Sequence, residues 1–287
     1  MKRDLAIGMC TALFISAAHA EVPRWVVSDA DSTMTLFPTI HILPDDLDWE
    51  SEAMLTALNN AEEVWFELLP SEVNDQALMQ QLAIKHGLSP QLPLSKRLDK
   101  ETYGKFSQVA TELGLAPAQL GPMRPWLAGV TLAVTDLIRD GFSPDAGVEM
   151  VLAKKVDSDR HRGLETADQQ LGFFASLSPE VEKAFLIQTI DEIGKNAEEL
   201  RGLATAWADG DVSRIEALIL TSIRDVSTEL YETLIVARNE AWAERLTLEL
   251  QGSGTDFVAV GGGHLVGADG LPGLLAARGY KVEGPGF

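Results

Sequence analysis

The sequence predicts an α/β protein, with a mixed sheet assembled from both ends of the chain around a large helical middle. Three observations carry this expectation. Short runs rich in β-branched and aromatic residues lie near the N-terminus, at 24–28, 33–37 and 64–67, and again near the C-terminus at 257–260. From about 71 to 250, apolar residues recur instead at three- and four-residue spacing. No internal repeat, low-complexity tract or convincing linker interrupts the chain, which points to a single domain over 21–287 with a helical insertion at about 71–250.

The elements follow in order. Asp29 to Ser32 form a polar turn suited to a hairpin between the first two runs. A helix is expected from Ser51, with Met54, Leu55 and Leu58 on one face, and the run at 64–67 is a short strand ending in the carboxylate of Glu67. Ser178 and Pro179 begin a helix, because the hydroxyl caps it and proline suits the first helical position. Leu186, Ile190, Ile193, Ala197 and Leu200 predict one apolar stripe along it. Another helix is expected from about Thr228 to Leu250, burying Leu230, Leu234, Ala237 and Ala241 and ended by Gly252 and Gly254. After the strand at 257–260 come glycines, a helix through 274–277 and a last strand around 280–283.

Residues 1–20 have the parts of a cleaved signal peptide. Lys2 and Arg3 are positive, Leu5 to Ile15 is apolar but too short to span a bilayer, and Ala18 and Ala20 are the small residues a signal peptidase reads. The mature chain is therefore expected to begin at Glu21, exported to a periplasm or secreted, with no stable membrane span. Cys10, the only cysteine, falls inside the leader, so the mature chain has no disulfide and no thiol nucleophile. With 43 acidic against 23 basic residues, the net charge of −20 repels nucleic acid and anionic membrane. A peptide or small-molecule substrate remains.

The chain lacks H-E-x-x-H, G-x-S-x-G and P-loop patterns. Gly261, Gly263 and Gly267 follow a strand, with Glu283 further on, and mimic a dinucleotide-binding fingerprint. Too little chain remains after Glu283 for another strand, and Pro272 is expected to interrupt the helix that would face phosphate. His264 suggests another meaning. Glycines at the carboxyl end of a strand let backbone and ligand approach closely, and a histidine there projects into a crevice. His41 holds a similar place, past the strand ending near Phe37 and before Pro44. Either histidine alone reads as structural; together they read as one site, since imidazole serves as metal ligand and general base. His86 and His161 stand beside Lys85, Arg160 and Arg162 and read as surface residues. The six scattered tryptophans read as core.

The run from Trp25 to Pro44, which contains His41, resembles the first signature of the TraB/GumN family. So does the run from Ala61 to Glu67. Further matches are Gly163 to Thr166 with Gln170, Ala206 to Asp211, Arg238 and Asn239 with Trp242, and Val260 to Pro272 around His264. These motifs occur in the family's order along nearly the whole mature chain. The resemblance implies a Tiki/erythromycin-esterase-like fold. The related Tiki proteins are metal-dependent proteases with two G-x-x-H motifs and an essential glutamate. Carried over by position, the implied metal ligands are His41, His264 and Glu67 around a divalent ion of the Mn, Co or Zn type. Glu67 and Arg238 are the implied catalytic residues, with Glu165 beside them. The first motif departs from the family, because Pro38 stands where the family has glycine and removes a backbone donor.

The leading expectation is a metal-dependent hydrolase of a peptide or related acyl bond. The alternative is a non-catalytic exported protein that binds and sequesters a ligand in the same pocket, a role that tolerates Pro38 more easily. Glu67 reads as third ligand, as base, or as a solvated strand end. Arg238, one turn before Trp242, is expected to stack on the indole and either hold a substrate oxyanion or form a structural ion pair. Glu165 and Asp211 are expected to be structural.

Overall fold

A computed structural model describes residues 21–194 and 197–287. Trp25–Ser28 (β1) and Ser32–Thr39 (β2) form the expected hairpin, with Trp25 opposite Leu36. The Asp29 carboxylate closes its turn by accepting the N–H groups of Asp31 and Ser32. The later strands are Leu43–Pro44 (β3), Glu63–Phe66 (β4), Phe142–Ser143 (β5), His161–Gly163 (β6), Gly254–Gly261 (β7) and Lys281–Glu283 (β8).

One six-stranded sheet runs in the order β6-β4-β7-β2-β1-β8. Its first four strands are parallel, and β1 is antiparallel to both of its neighbours. Both chain ends therefore build the sheet, as expected of an α/β protein. The middle of the chain is not wholly helical, however, because β6 forms one sheet edge and β5 pairs with β3. Phe257 to Val260 are fully buried on both faces, which suits a central parallel strand covered by helices. Phe37, Trp49, Trp207 and Phe257 pack together with ring centroids 5.5–6.3 Å apart. Trp25, Trp65, Trp126 and Trp242 are also buried, so the tryptophans belong to the core.

Ser51 caps helix Glu52–Asn60 by accepting the Met54 N–H, and Met54 and Leu58 are buried beneath it. Ser178 likewise caps Pro179–Glu192. That helix ends earlier than the stripe predicts: Ile193 turns extended and Gly194 takes φ +75°. Ala197 and Leu200 therefore belong to a second helix, Ala197–Ala208. The helical stretch from Thr228 to Leu250 contains a π turn at Glu232–Val236, directly before the helix carrying Arg238. Pro272 does not interrupt its helix. It occupies the first turn of Leu271–Ala277, where the absent N–H has no helical partner to lose.

Among the described residues no helix is long and apolar enough to cross a membrane. The leader at 1–20, Cys10 included, lies outside the described residues.

At the amino ends of β4 and β7, Asp256 faces Glu63 with Glu249 close by. Asp256 is 7% exposed, and burial, then the charges of Glu249, Glu63 and Glu62, push its pKa up to about 6. A carboxyl raised this way binds protons more tightly folded than unfolded, so stability falls as pH rises from about 4 through 6. Asp256→Asn should therefore add about 1–2 kcal/mol at pH 7.5 and almost nothing at pH 4, read by urea unfolding at both values. Equal effects at the two pH values would show that ionisation of Asp256 is not the cause.

Candidate functional site

Four parallel strands each deliver a polar residue at the carboxyl end. His41 follows β2, Glu67 follows β4, Glu165 follows β6 and His264 follows β7. Ligands gather at this edge in α/β sheets because strand ends and loops converge there, away from the packed centre. His41 and His264, far apart in sequence, meet at Gly261. A Cβ on that glycine would lie 3.1 Å from Glu67 Oε1 and 3.6 Å from both His41 Nε2 and His264 Cδ2. Any side chain at 261 would therefore fill the site.

Glu67 is 5% exposed and fully hydrogen-bonded. Its Oε1 accepts the Gly261 N–H at 2.8 Å, and its Oε2 accepts Arg238 Nη2 at 2.6 Å and Gln170 Nε2 at 3.1 Å. Burial alone would raise this carboxyl. The Arg238 charge, helped by His41 and the Gly261 amide, outweighs it and holds Glu67 well below the usual carboxylate range.

Arg238 is 7% exposed, and its donors go to protein acceptors. They reach Glu67, both oxygens of Glu165 at 2.6 and 3.2 Å, the Leu234 carbonyl at 3.2 Å and His264 Nε2 at 3.1 Å. Its guanidinium stacks 4.5 Å from the Trp242 ring centroid, as the one-turn spacing predicts. An arginine so occupied has no donor for a substrate oxyanion; it orients the carboxylates instead. Glu165 is correspondingly central, not peripheral. It also accepts from Trp242 Nε1 and Gln170, and burial raises its pKa against the pull of Arg238.

The two imidazoles are fixed through their Nδ1 atoms. His264 Nδ1 lies 2.6 Å from Asn239 Oδ1, while the Asn239 amide donates to the carbonyls of His264 and Asp269. This assigns the Nδ1 proton and leaves a lone pair on Nε2. Burial first, then the Arg238 charge, push His264 down to about 3, so the ring is neutral. His41 Nδ1 lies 2.7 Å from Glu149 Oε1, which also accepts the Thr39 hydroxyl. The Glu149 charge raises the His41 pKa, although water screens the pair because this side chain is 64% exposed. Helix Val148–Ala153 anchors the His41 loop: the Val148 N–H donates to the Ile40 carbonyl at 3.0 Å. A Cβ on Gly147 would come within 2.8 Å of the His41 carbonyl carbon, so only glycine permits this approach.

A cavity of about 370 Å³ opens on this cluster, lined by His41, Glu67, Glu149 and Gln170 and by apolar residues such as Leu68, Val73 and Met150. Pro38 does not face it. In an extended strand the N–H and C=O of one residue point to the same side, and the Pro38 carbonyl accepts Trp207 Nε1 at 3.0 Å. The absent donor therefore lies toward Trp207, beyond the end of β1. Pro38→Gly should leave the rate of any reaction within about twofold and cost about 0.5–1 kcal/mol, chiefly by freeing the unfolded chain. A large gain in activity would restore the residue-38 amide as a reaction-centre donor.

Two other readings change. His86 is an ion-pair partner of Asp168 at 2.7 Å with its side chain only 14% exposed. His161 begins β6 and packs edge-on against Phe66, with its Nε2 buried. The glycine tract leads into the 3₁₀ turn Gly262–His264 and not a helix N-terminus, a further reason against the dinucleotide fingerprint beside the short chain after Glu283. Asp211 is structural as expected, capping Val212–Val226. Glu149 and Gln170 complete the site from the helical middle. Gln170 stands in a motif quoted above, whereas Glu149 leaves no signal in the sequence.

The donor set can be tested against a divalent ion. His41 Nε2, the His264 ring and Glu67 Oε1 surround Gly261, and each ring has an oxygen acceptor at Nδ1, the arrangement that fixes metal-binding tautomers. His264 Nε2, however, faces Arg238 Nη1 at 3.1 Å, a contact an ion would have to replace. Glu67, Glu165 and Glu149 set three carboxylates against the single guanidinium, so added positive charge is accommodated. Glu67 Oε1 and His264 Nε2 are 3.8 Å apart. His41 lies further out. Among the described residues the only three acidic or histidine side chains with ligand atoms all within 4.8 Å are Glu63, Glu249 and Asp256, at the other end of the strands. The set fits in donor type and tautomer, and its exposed member, His41, closes it.

A model of the TraB/PrgY/gumN family matches residues 23–284. A protein of Treponema pallidum (strain Nichols), described as uncharacterized, is 22% identical over 95% of this chain and 87% of its own length. No solved structure matches the chain.

Proposed function

We propose that this chain, which belongs to the TraB/PrgY/gumN family, is a metal-dependent hydrolase acting on a peptide or related acyl bond. The observation that carries the reading is the convergence of His41 Nε2, His264 and Glu67 Oε1 on Gly261 at the floor of a cavity. His41, His264 and Glu67 would hold the ion through the Nε2 atoms and Oε1. Such an ion polarises an acyl carbonyl and makes water a stronger nucleophile near neutral pH.

The chain's own residues do the remaining work. Glu149 and Asn239 accept the Nδ1 protons of His41 and His264, so each ring would ligate through Nε2, His264 by exchanging its Arg238 contact for the ion. Arg238 and the Gly261 amide keep Glu67 ionised and immobile. A carboxylate held this far below its usual range accepts a proton poorly, which favours Glu67 as a ligand over Glu67 as a base. Glu149 is the carboxylate on the cavity wall that can take the proton from the attacking water and return it to the leaving group. The apolar wall excludes bulk water around the bond to be broken.

Digestion of a mixed peptide library by the purified chain, followed by mass spectrometry, tests this reading. Cleavage should vanish with chelator and return with Mn²⁺, Co²⁺ or Zn²⁺. Cleavage indifferent to chelator would defeat the metal claim. Peptide retention without cleavage would favour the second reading, a non-catalytic binding protein. That reading draws support from Arg238, which already holds the His264 Nε2 lone pair. Export belongs to the same proposal: intact-mass measurement of protein recovered outside the cytoplasm should show Glu21 as the first residue.

A further inference from the structure

The cavity wall carries three carboxylates and one imidazole, His41, which is paired with Glu149. Glu67, Glu149 and Asp145 line it, and no lysine or arginine does; Arg238 lies beneath Glu67 and is buried. Two of the three carboxylates are engaged, Glu67 with Arg238 and Glu149 with His41 and Thr39. Asp145 is different. It is exposed, in the turn Pro144–Ala146, and among the described residues it has neither an ion-pair nor a hydrogen-bond partner. Its position is nevertheless fixed. The preceding strand β5 pairs with β3, just past His41, and Gly147 packs against the His41 backbone. Asp145 thus stands at the rim beside the most exposed member of the site. The rest of the wall is largely apolar, through Leu68, Pro70, Val73, Pro144 and Met150.

We infer that the site selects substrates in which an apolar group is flanked by a positive charge, with Asp145 as the residue that reads the charge. The apolar group fills the cavity and gains from leaving water. The neighbouring ammonium or guanidinium meets Asp145 at the rim, the one wall carboxylate that among the described residues has no protein partner. An acidic neighbour meets repulsion from Asp145. This inference rests on the hydrolase reading for its reaction, but the charge preference belongs to binding and is measurable without turnover.

The test uses three fluorescent peptides, identical except for lysine, alanine or glutamate next to one leucine. Anisotropy measures Kd and product formation measures kcat/KM, for the wild type, Asp145→Asn and Asp145→Lys. Lysine should bind best and glutamate worst, with about tenfold between the extremes, compressed by added salt. Asp145→Asn should narrow the range, and Asp145→Lys should reverse it. Equal affinities, preference for glutamate, or no binding of any peptide would overturn the inference. Correctly ranked binding without cleavage would overturn the hydrolase reading and leave this one standing.

Discussion

Replacing Arg238 by alanine is expected to destabilise the fold by about 3–5 kcal/mol, the largest effect of any single substitution at the site. Glu67 and Glu165 are 5% and 8% exposed, and each accepts an Arg238 donor at 2.6 Å. Without the guanidinium, two carboxylates remain in a poorly solvated pocket with only Gln170, Trp242 and the Gly261 amide to answer them. The cost is mainly that of leaving charge buried and unpaired, not the worth of the ion pairs themselves. Adding Glu165→Gln to Arg238→Ala should therefore recover part of the loss, because one uncompensated charge is gone. Urea unfolding of the wild type and both variants measures this. A loss under about 1 kcal/mol for Arg238→Ala would show that the carboxylates find other partners.

The second large effect falls on activity. His41→Ala should lower kcat/KM for a cleaved peptide on the order of 10²–10⁴-fold, while stability stays within about 0.5 kcal/mol because the ring is 64% exposed. That separation between activity and stability is diagnostic of a residue kept for chemistry. Glu149→Gln should cost about 10²–10⁴-fold, because the amide oxygen can still accept the Nδ1 proton but cannot take a proton from the attacking water. His86→Ala, which removes only an ion pair with Asp168, should leave the rate unchanged. Comparable losses for His41→Ala and His86→Ala would remove His41 from the site.

The parts of this site that the sequence reveals are those set by local pattern. A histidine or glutamate just past a β-rich run marks a strand's carboxyl end, and His41, Glu67 and His264 are all found that way. Arg238 and Trp242 are legible from one-turn spacing on a helix. What stays hidden depends on packing between distant elements. Glu149 sits on a short helix of no unusual composition and gains its role only because Gly147 and Val148 dock on the His41 loop. Glu165 reads as structural because nothing local shows that β6 pairs with β4 and sets it against Arg238. The direction of the Pro38 backbone is likewise invisible without Trp207, which lies far along the chain. The break at Gly194 escapes periodicity because the apolar spacing continues across it.

The claim that His41, Glu67 and His264 form one metal centre is tested most directly by native mass spectrometry of the full chain titrated with Mn²⁺, Co²⁺ or Zn²⁺. One ion per wild-type chain should survive transfer to the gas phase. It should be lost in His41→Ala and in His264→Ala and kept in His86→Ala and Asp256→Asn. An ion retained by both site-histidine variants, or lost with Asp256→Asn, would contradict the account and move metal binding to the other end of the sheet.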